Sequence, residues 1–303
     1  MDRSGKSLAE VRKRIDSIDD RLHDLLMERA VLVRSVDEAK AKSSAPTYRP
    51  GREADILRRL LDRHEGEFPL GPLMLIWRQI ISASLGLQEK FVVAVYATEE
   101  SQACQEVAEI HFGAAAPVSV HRTVAGVFNE VTHGNASAGI LPFPAEGEDA
   151  PWWPRLARYG AEQEGGDGPH IVARLPFVPT QRLFDSSPDS LVIAMQAPQP
   201  SARDRSVVVV IVDTETSRSR VLGAFQANGL EPKTTLTHGD DVSRGFTFFL
   251  LEVDGFFDRE DDRIAAIAEE IGGEEPAIVQ VLGAYAEPFA RKDIDVRQSG
   301  SEQ

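Results

Sequence analysis

Cysteine is almost absent from this chain: Cys104 is the only one among 303 residues. A single cysteine excludes a disulfide within the chain and any metal site that needs a CxxC pair. No stretch approaches the roughly 18 consecutive apolar residues of a membrane span, and the charged segment 1–20 lacks the apolar core of a secretory signal. We therefore expect a cytoplasmic protein that does not enter the membrane.

Positive charge is also in short supply, with 33 Lys and Arg against 48 Asp and Glu and a formal net charge of −15. The deficit is uneven, because residues 1–90 carry a net charge of +2 and the remaining 213 carry −17. An acidic protein repels phosphate backbones and anionic lipid, so we expect neither nucleic acid nor a membrane as its main partner. The length allows two or three domains, and 42% apolar with 27% charged residues is ordinary for a globular protein.

The first third of the chain has a helical pattern without strands. Between residues 8 and 42 there is no Gly or Pro, and apolar residues recur at steps of three and four, as a helix that packs one face against partners requires. These residues are Leu8, Val11, Ile15, Ile18, Leu22, Leu25, Leu26, Leu32, Val36 and Ala39. A second helix is predicted to begin near Pro50, and a third to run from about Pro72 to Gln88.

Two cations interrupt the apolar stripe of the first helix. Arg29 lies three residues from Leu26 and from Leu32, and Lys40 follows eleven residues later, three turns on and on the same side. An unpaired buried charge costs several kcal/mol. Three interpretations remain open: carboxylates of another helix neutralise the cations, the side chains extend to solvent, or the cations line a cavity that binds an anion.

After residue 91 short β-branched runs alternate with helical segments. Strands are predicted near 91–96, 118–121 and 138–141, with helices near 104–112 and 124–132, which indicates a small α/β lobe over 91–200. The order β-α-β-β-α-β over 204–289 is the ferredoxin-like pattern. Its predicted elements are 207–212, 218–228, 234–238, 246–253, 262–271 and 278–283. We expect a multidomain α plus α/β protein that ends in a flexible tail, 290–303.

Several stretches of residues 1–90 occur in the order and spacing of a known family. They read LAEVRKRIDSI, continued by DDRLHDLLMERAVLV, then EAKAK, YRPGRE and WRQIISASLGLQ. Together they resemble the all-helical, intertwined class of chorismate mutase. The resemblance implies a three-helix domain, a homodimer, and conversion of chorismate to prephenate by an intramolecular [3,3] rearrangement that needs no cofactor or metal.

The same resemblance implies the residues that would contact the substrate, a dianion with two carboxylates. Arg29 and, from the partner subunit, Arg12 would hold the carboxylates, for which the guanidinium fork is well suited. Lys40 and Gln88 would donate to the ether oxygen as the C–O bond breaks. Glu53 would accept from the substrate hydroxyl. Two more residues, Arg52 and Ser84, would support these contacts.

At one position the chain departs from the family pattern. Some members carry an acidic residue three positions before the Arg of the "RE" pair, where this chain has Arg49. The change is expected to alter affinity without touching the ether-oxygen donors.

The later modules resemble the rest of bifunctional chorismate mutase/prephenate dehydratase proteins, with losses. The segment from Pro142 to Glu146 lacks the Asn and Ser of the dehydratase "PxENS" segment, so dehydratase activity is expected to be lost. Residues 204–289 resemble an ACT domain, but both segments that bind an amino acid in such domains are altered, at 217–220 and 236–239. The module would therefore serve dimerisation or contact with another enzyme as readily as feedback by phenylalanine.

Two other functions fit the same helical scaffold. One is an isochorismate pyruvate lyase, which uses a similar cationic pocket. The other is a non-catalytic regulator or scaffold that binds an aromatic metabolite or a partner enzyme. Lys40 and Gln88 favour an enzyme over a scaffold, because binding needs only the arginines whereas bond breaking needs donors at the ether oxygen.

Overall fold

The computed structural model describes residues 7–40, 46–99, 101–113, 116–162, 168–179, 189–239, 245–258, 260–272 and 277–294, without the side chains of 36–40 and 160–162. Eight helices of the described ranges are α1 Leu8–Lys40, α2 Pro50–Arg63, α3 Leu70–Gln88, α4 Ala103–Phe112, α5 Val124–Thr132, α6 Trp153–Glu162, α7 Arg218–Ala227 and α8 Asp262–Gly272. The strands are β1 Val93–Tyr96, β2 Val118–His121, β3 Ala138–Pro142, β4 His170–Leu175, β5 Ser190–Ala194, β6 Asp204–Asp213, β7 Thr234–Gly239, β8 Phe246–Asp254 and β9 Ile278–Ala286.

The nine strands form one mixed sheet in the order β2-β1-β3-β5-β4-β9-β6-β8-β7. Strand β1 runs parallel to β2 and β3, and β5 is antiparallel to both β3 and β4. The last four strands, β9-β6-β8-β7, pair antiparallel in ferredoxin-like order. The three-helix segment, the α/β lobe and the terminal β-α-β-β-α-β module of the predicted fold class are all confirmed.

The two later modules share this sheet through a parallel contact that the sequence did not reveal. Strands β4 and β9 meet at the pair Ile171 and Gly283. Gly283 has φ of 149°, and a Cβ atom there would overlap the backbone of Ile171. Only glycine allows the strands to approach this closely.

Helices cover both faces of the sheet. On one face, α2, α3 and α4 enclose a core with β1, β3, β4 and β5. On the other face, α5 and α6 cover the lobe, and α6 also packs on β6, β8 and β9 of the terminal module. Helices α7 and α8 cover the remaining face of that module. The helical segment is thus joined to the sheet by α2 and α3, whereas α1 packs against α3.

Helix α3 is the one helix among the described residues with the length and apolar composition of a membrane span. A core helix of a globular protein passes the same test. Here Leu70, Met74, Ile81 and Leu85 are buried in the core beneath the sheet.

Helix α6 is absent from the sequence prediction, which placed helices in this lobe only near 104–112 and 124–132. The helix begins at Trp153, and the indoles of Trp152 and Trp153 are buried, 3% and 1% exposed. Trp152 donates to the carbonyl of Pro142 over 2.8 Å, while Trp153 meets Phe248 edge-on at 6.3 Å between ring centroids. The helix forms although glycine-rich segments flank it, because burial against the sheet stabilises it. Helix propensities do not include that burial.

The predicted flexible tail is corrected where the structure describes it. Residues 291–294 are helical, the amide of Asp293 donates to the carbonyl of Ala290, and Ile294 is 5% exposed against Gly71 of α3. Residues 295–303 lie outside the described residues.

Candidate functional site

The structure brings three of the seven predicted site residues together where α1 crosses α3. The guanidinium of Arg29 donates to the hydroxyl of Ser84, which in turn donates to the carbonyl of Ile80 over 2.6 Å. The amide of Gln88 donates to the carbonyl of Ser84 over 3.2 Å. Because Ile80, Ser84 and Gln88 are each four residues apart, they lie on one face of α3. Arg29 projects onto that face from α1.

Arg29 is half-buried, and this burial lowers the pKa of its guanidinium from the ordinary 12.5. The group stays cationic near neutral pH, since arginine is hardly ever deprotonated in proteins. Within the described part of the chain, no carboxylate forms a salt bridge with it. A partly desolvated cation beside a hydroxyl and an amide is suited to bind an anionic ligand.

The other two predicted residues of α1 lie farther along the helix from Arg29. Lys40 is the last residue of α1, about 16 Å along the axis from Arg29, and its side chain lies outside the description. Arg12 is exposed and lies about 25 Å from Arg29 in the other direction. Arg12 therefore cannot reach the Arg29 site of its own chain.

The remaining two predicted residues are in the first turn of α2. Arg52 is exposed. Glu53 is 6% exposed, and its carboxylate forms an ion pair with Arg78 of α3, 2.6 Å between Oε2 and Nη1. Arg78 precedes Ser84 by six residues, which turns it about 120° around α3. Glu53 consequently faces a different side of α3 from the Arg29 group.

Arg78 also binds the α/β lobe. Its Nη2 lies 2.7 Å from Nε2 of His111 in α4, and its Nε and Nη2 donate to the carbonyl of the same residue. Burial, together with the charge of Arg78, lowers the pKa of His111 well below the ordinary 6.5. Arginine can only donate, so Nε2 of His111 accepts and its proton is on Nδ1.

The sequence analysis missed Arg78, although a signal was present. Arg78 is a lone charge inside the apolar run LMLIWRQII, the same kind of anomaly that identified Arg29. Arg49, where some relatives carry an acid, donates to the side chain of Gln199 over 2.6 Å. It therefore serves the contact between α2 and the segment before β6.

Residues 11–89 match the family model described as chorismate mutase type II. A chorismate mutase from Methanocaldococcus jannaschii is 32% identical over 90 residues, which are 29% of this chain and 89% of that protein. A bifunctional chorismate mutase/prephenate dehydratase from Aquifex aeolicus is 36% identical over 141 residues, or 45% of this chain and 39% of that protein. The chain thus spans about two fifths of this bifunctional relative.

Among solved structures, a prephenate dehydratase from Streptococcus mutans superposes with a TM-score of 0.45 at 14% identity. The superposition covers 65% of this chain and 98% of that one. A likeness of this degree has no bearing on activity.

Proposed function

Since the chain belongs to the chorismate mutase family through its helical segment, we propose that it converts chorismate to prephenate. The observation that carries the proposal is the half-buried, carboxylate-free Arg29 beside Ser84 and Gln88, within the described and family-matched segment. A cation held this way provides a fixed point for one carboxylate of a dianionic substrate.

The proposed reaction breaks an ether C–O bond while a C–C bond forms within one molecule, so no proton transfer or covalent intermediate is needed. The protein has two tasks: to hold the folded conformer and to stabilise negative charge on the ether oxygen. Arg29 serves the first task, with Ser84 fixing its guanidinium. Gln88 and Lys40 serve the second, and each donor is worth on the order of 3 kcal/mol by analogy with oxyanion-hole donors.

A second copy of the chain would complete the site. Among the described residues, the apolar stripe of α1 stays largely exposed: Ile15, Ile18, Leu22 and Leu25 are each more than half exposed. A helix of 33 residues with such a stripe requires a partner. We propose an intertwined homodimer in which Arg12 of the partner subunit binds the second carboxylate, with Arg52 as a further cation. The cytoplasmic location stays a prediction.

The predicted contact of Glu53 with the substrate hydroxyl would use Oε1, which is buried without a hydrogen-bond partner among the described residues, while Oε2 stays paired with Arg78.

Dehydratase activity is proposed to be lost. In the segment that replaces the "PxENS" residues, the carboxylate of Glu146 accepts from the amide of Thr237 in β7 over 3.0 Å. This segment therefore contributes to contact between the lobe and the terminal module. The ACT-like role of 204–289 stays a prediction.

Turnover of chorismate by the purified chain tests the proposal. We expect prephenate to accumulate, and Gln88→Ala to lower kcat about 100-fold or more, because the amide acts on charge that develops only in the transition state. Arg34→Ala, an exposed arginine of α1, is the control and should keep full activity. Pyruvate released from isochorismate would favour the lyase, and binding without turnover would favour the scaffold.

A further inference from the structure

Strand β7 is the last strand of the sheet and has β8 as its neighbour on one side. Successive residues of a strand turn their amides and carbonyls to alternate sides, so those of Thr235 and Thr237 point the same way. The carbonyl of Thr235 accepts from Nη2 of Arg218 over 2.8 Å, and the amide of Thr237 donates to Oε2 of Glu146 over 3.0 Å. Since β8 occupies the inner side, both bonds lie on the outer edge of the sheet.

These two side chains reach the edge from opposite faces of the sheet. Arg218 is the first residue of α7, which covers one face of the terminal module together with α8. Glu146 lies between β3 and α6, and α6 packs on the other face. Arg218 and Glu146 are called the edge cap below. The cap thus combines one residue of the terminal module with one residue of the α/β lobe.

The segment that carries Glu146 is itself held in place. The amide of Ala145 donates to the carboxylate of Glu148 over 2.6 Å. The buried indole of Trp152 donates back to the carbonyl of Pro142 over 2.8 Å, which closes the segment at its two ends. Glu146 is therefore presented to β7 by a fixed backbone, and little conformational entropy is lost in its bond with Thr237.

A strand that paired with β7 from outside would have to displace both bonds of the edge cap. Hydrogen bonds with a charged partner are among the stronger ones in proteins. The incoming strand would also remove a carboxylate and a guanidinium from water, which is costly for any charge left unpaired. Charged side chains at an edge strand are a means by which proteins prevent pairing between sheets.

We propose that the edge cap prevents β7 from pairing with a second copy of the chain, so that the terminal module takes no part in self-association through this edge. The part of the lobe that lacks the "PxENS" residues then has a function of its own, because Glu146 occupies the position of a partner strand. Association of two copies is left to other surfaces, such as the exposed stripe of α1. The inference does not depend on mutase activity.

Removal of the cap in the full chain, with Glu146→Ala and Arg218→Ala combined, tests the inference by sedimentation over a series of concentrations. The mass of the wild-type chain should not respond to β7. We expect the mass of the uncapped variant to rise with concentration by at least about twofold, since two identical edges can pair. Asp149→Ala with Arg220→Ala is the matched control, because both residues are exposed, lie in the same segment and helix, and change the charge equally. It should behave as wild type.

A third substitution identifies the edge as the site of association. Thr237→Pro removes the outward amide, so in the uncapped variant it should abolish the concentration dependence. The proposal would be overturned by an uncapped variant with the mass of wild type at every concentration, or by association that persists with Thr237→Pro. A wild-type chain whose association is weakened by Thr237→Pro alone would also overturn it.

Hydrogen exchange keeps the test decisive if the uncapped variant does not stay folded, as judged by its thermal melt. In the single variant Glu146→Ala, the amide of Thr237 should exchange about tenfold faster than in wild type, because it loses a charged acceptor. An unchanged exchange rate would refute the cap.

Discussion

Helix α1 carries three of the seven predicted site residues and α2 carries two, yet the two helices differ in how the rest of the chain covers them. Helix α1 packs against α3 and leaves its apolar stripe exposed, with Leu22 at 54% and Leu25 at 58%. Helix α2 is held on several sides: Glu53 binds Arg78, and Arg58 donates to the carbonyls of Arg203 and Glu287. One chain therefore holds α2 by itself, whereas in the proposed homodimer the α1 side of the site would depend on a second copy.

We expect the largest effect from placing two charged residues in the apolar stripe of α1. Ile18→Asp combined with Leu22→Asp places two carboxylates where the second copy would bury apolar side chains, at a cost of several kcal/mol. We expect a monomer by sedimentation and a loss of chorismate turnover of more than about 100-fold. Ser17→Asp, on the polar side of the same helix, should stay dimeric and active. A charged-stripe variant that remained a dimer would refute the proposed interface.

Mixing two inactive variants would sharpen the comparison, because it asks which copy supplies each arginine. Arg12→Ala and Arg29→Ala should each be nearly inactive alone. In a mixed dimer, one of the two sites would contain both intact arginines, so refolding the variants together should restore roughly a quarter of wild-type turnover. No recovery in a mixture that contains mixed dimers would place both arginines in the site of one chain.

On the α2 side, Arg58→Ala should affect stability. The change removes the hydrogen bonds from the guanidinium to the carbonyls of Arg203 and Glu287, and a hydrogen bond that involves a charged group is worth about 1.5–3 kcal/mol. We expect urea unfolding to report this loss in the free energy of unfolding. Arg59→Ala, exposed on the same helix, should lie within about 0.5 kcal/mol of wild type. Equal stabilities of the two variants would mean that α2 is not fixed by Arg58.

The smallest expected effect is a dependence of stability on pH through His111. Its folded pKa is depressed by burial and by Arg78, so the unfolded chain binds the proton more readily. The contribution of His111 is therefore complete above about pH 6.5 and decreases as the pH falls below it, by at most about 1.4 kcal/mol per pH unit. In His111→Gln, the unfolding free energy should change less between pH 7.5 and 5.5 than in wild type.

Local patterns in the sequence predicted most elements, and the misses have physical causes. The regular stripe of α1 and the β-branched runs of the terminal module are local signals, and those elements were found. Helix α6 depends on burial of Trp153 against Phe248, a partner 95 residues away, which no local pattern contains.

In the candidate site, too, local signals were recognised from the sequence and contacts between distant residues were not. Arg29 was identified because a charge interrupts an apolar stripe, and its neighbours Ser84 and Gln88 came from the family resemblance. The partner of Glu53 could not be inferred, because the pairing with Arg78 depends on how α2 crosses α3 above the sheet.

The close approach of Ile171 and Gly283 has a consequence for whether the terminal module can be lost in evolution. A chain truncated before β6 would lack β9, and β4 would become an edge strand. Its unpaired amides and carbonyls could then pair with other molecules. The terminal module therefore covers this edge of the lobe whether or not it binds any effector, and we expect its removal to favour aggregation. A lobe that had lost its own chemistry would still keep its neighbour for this reason.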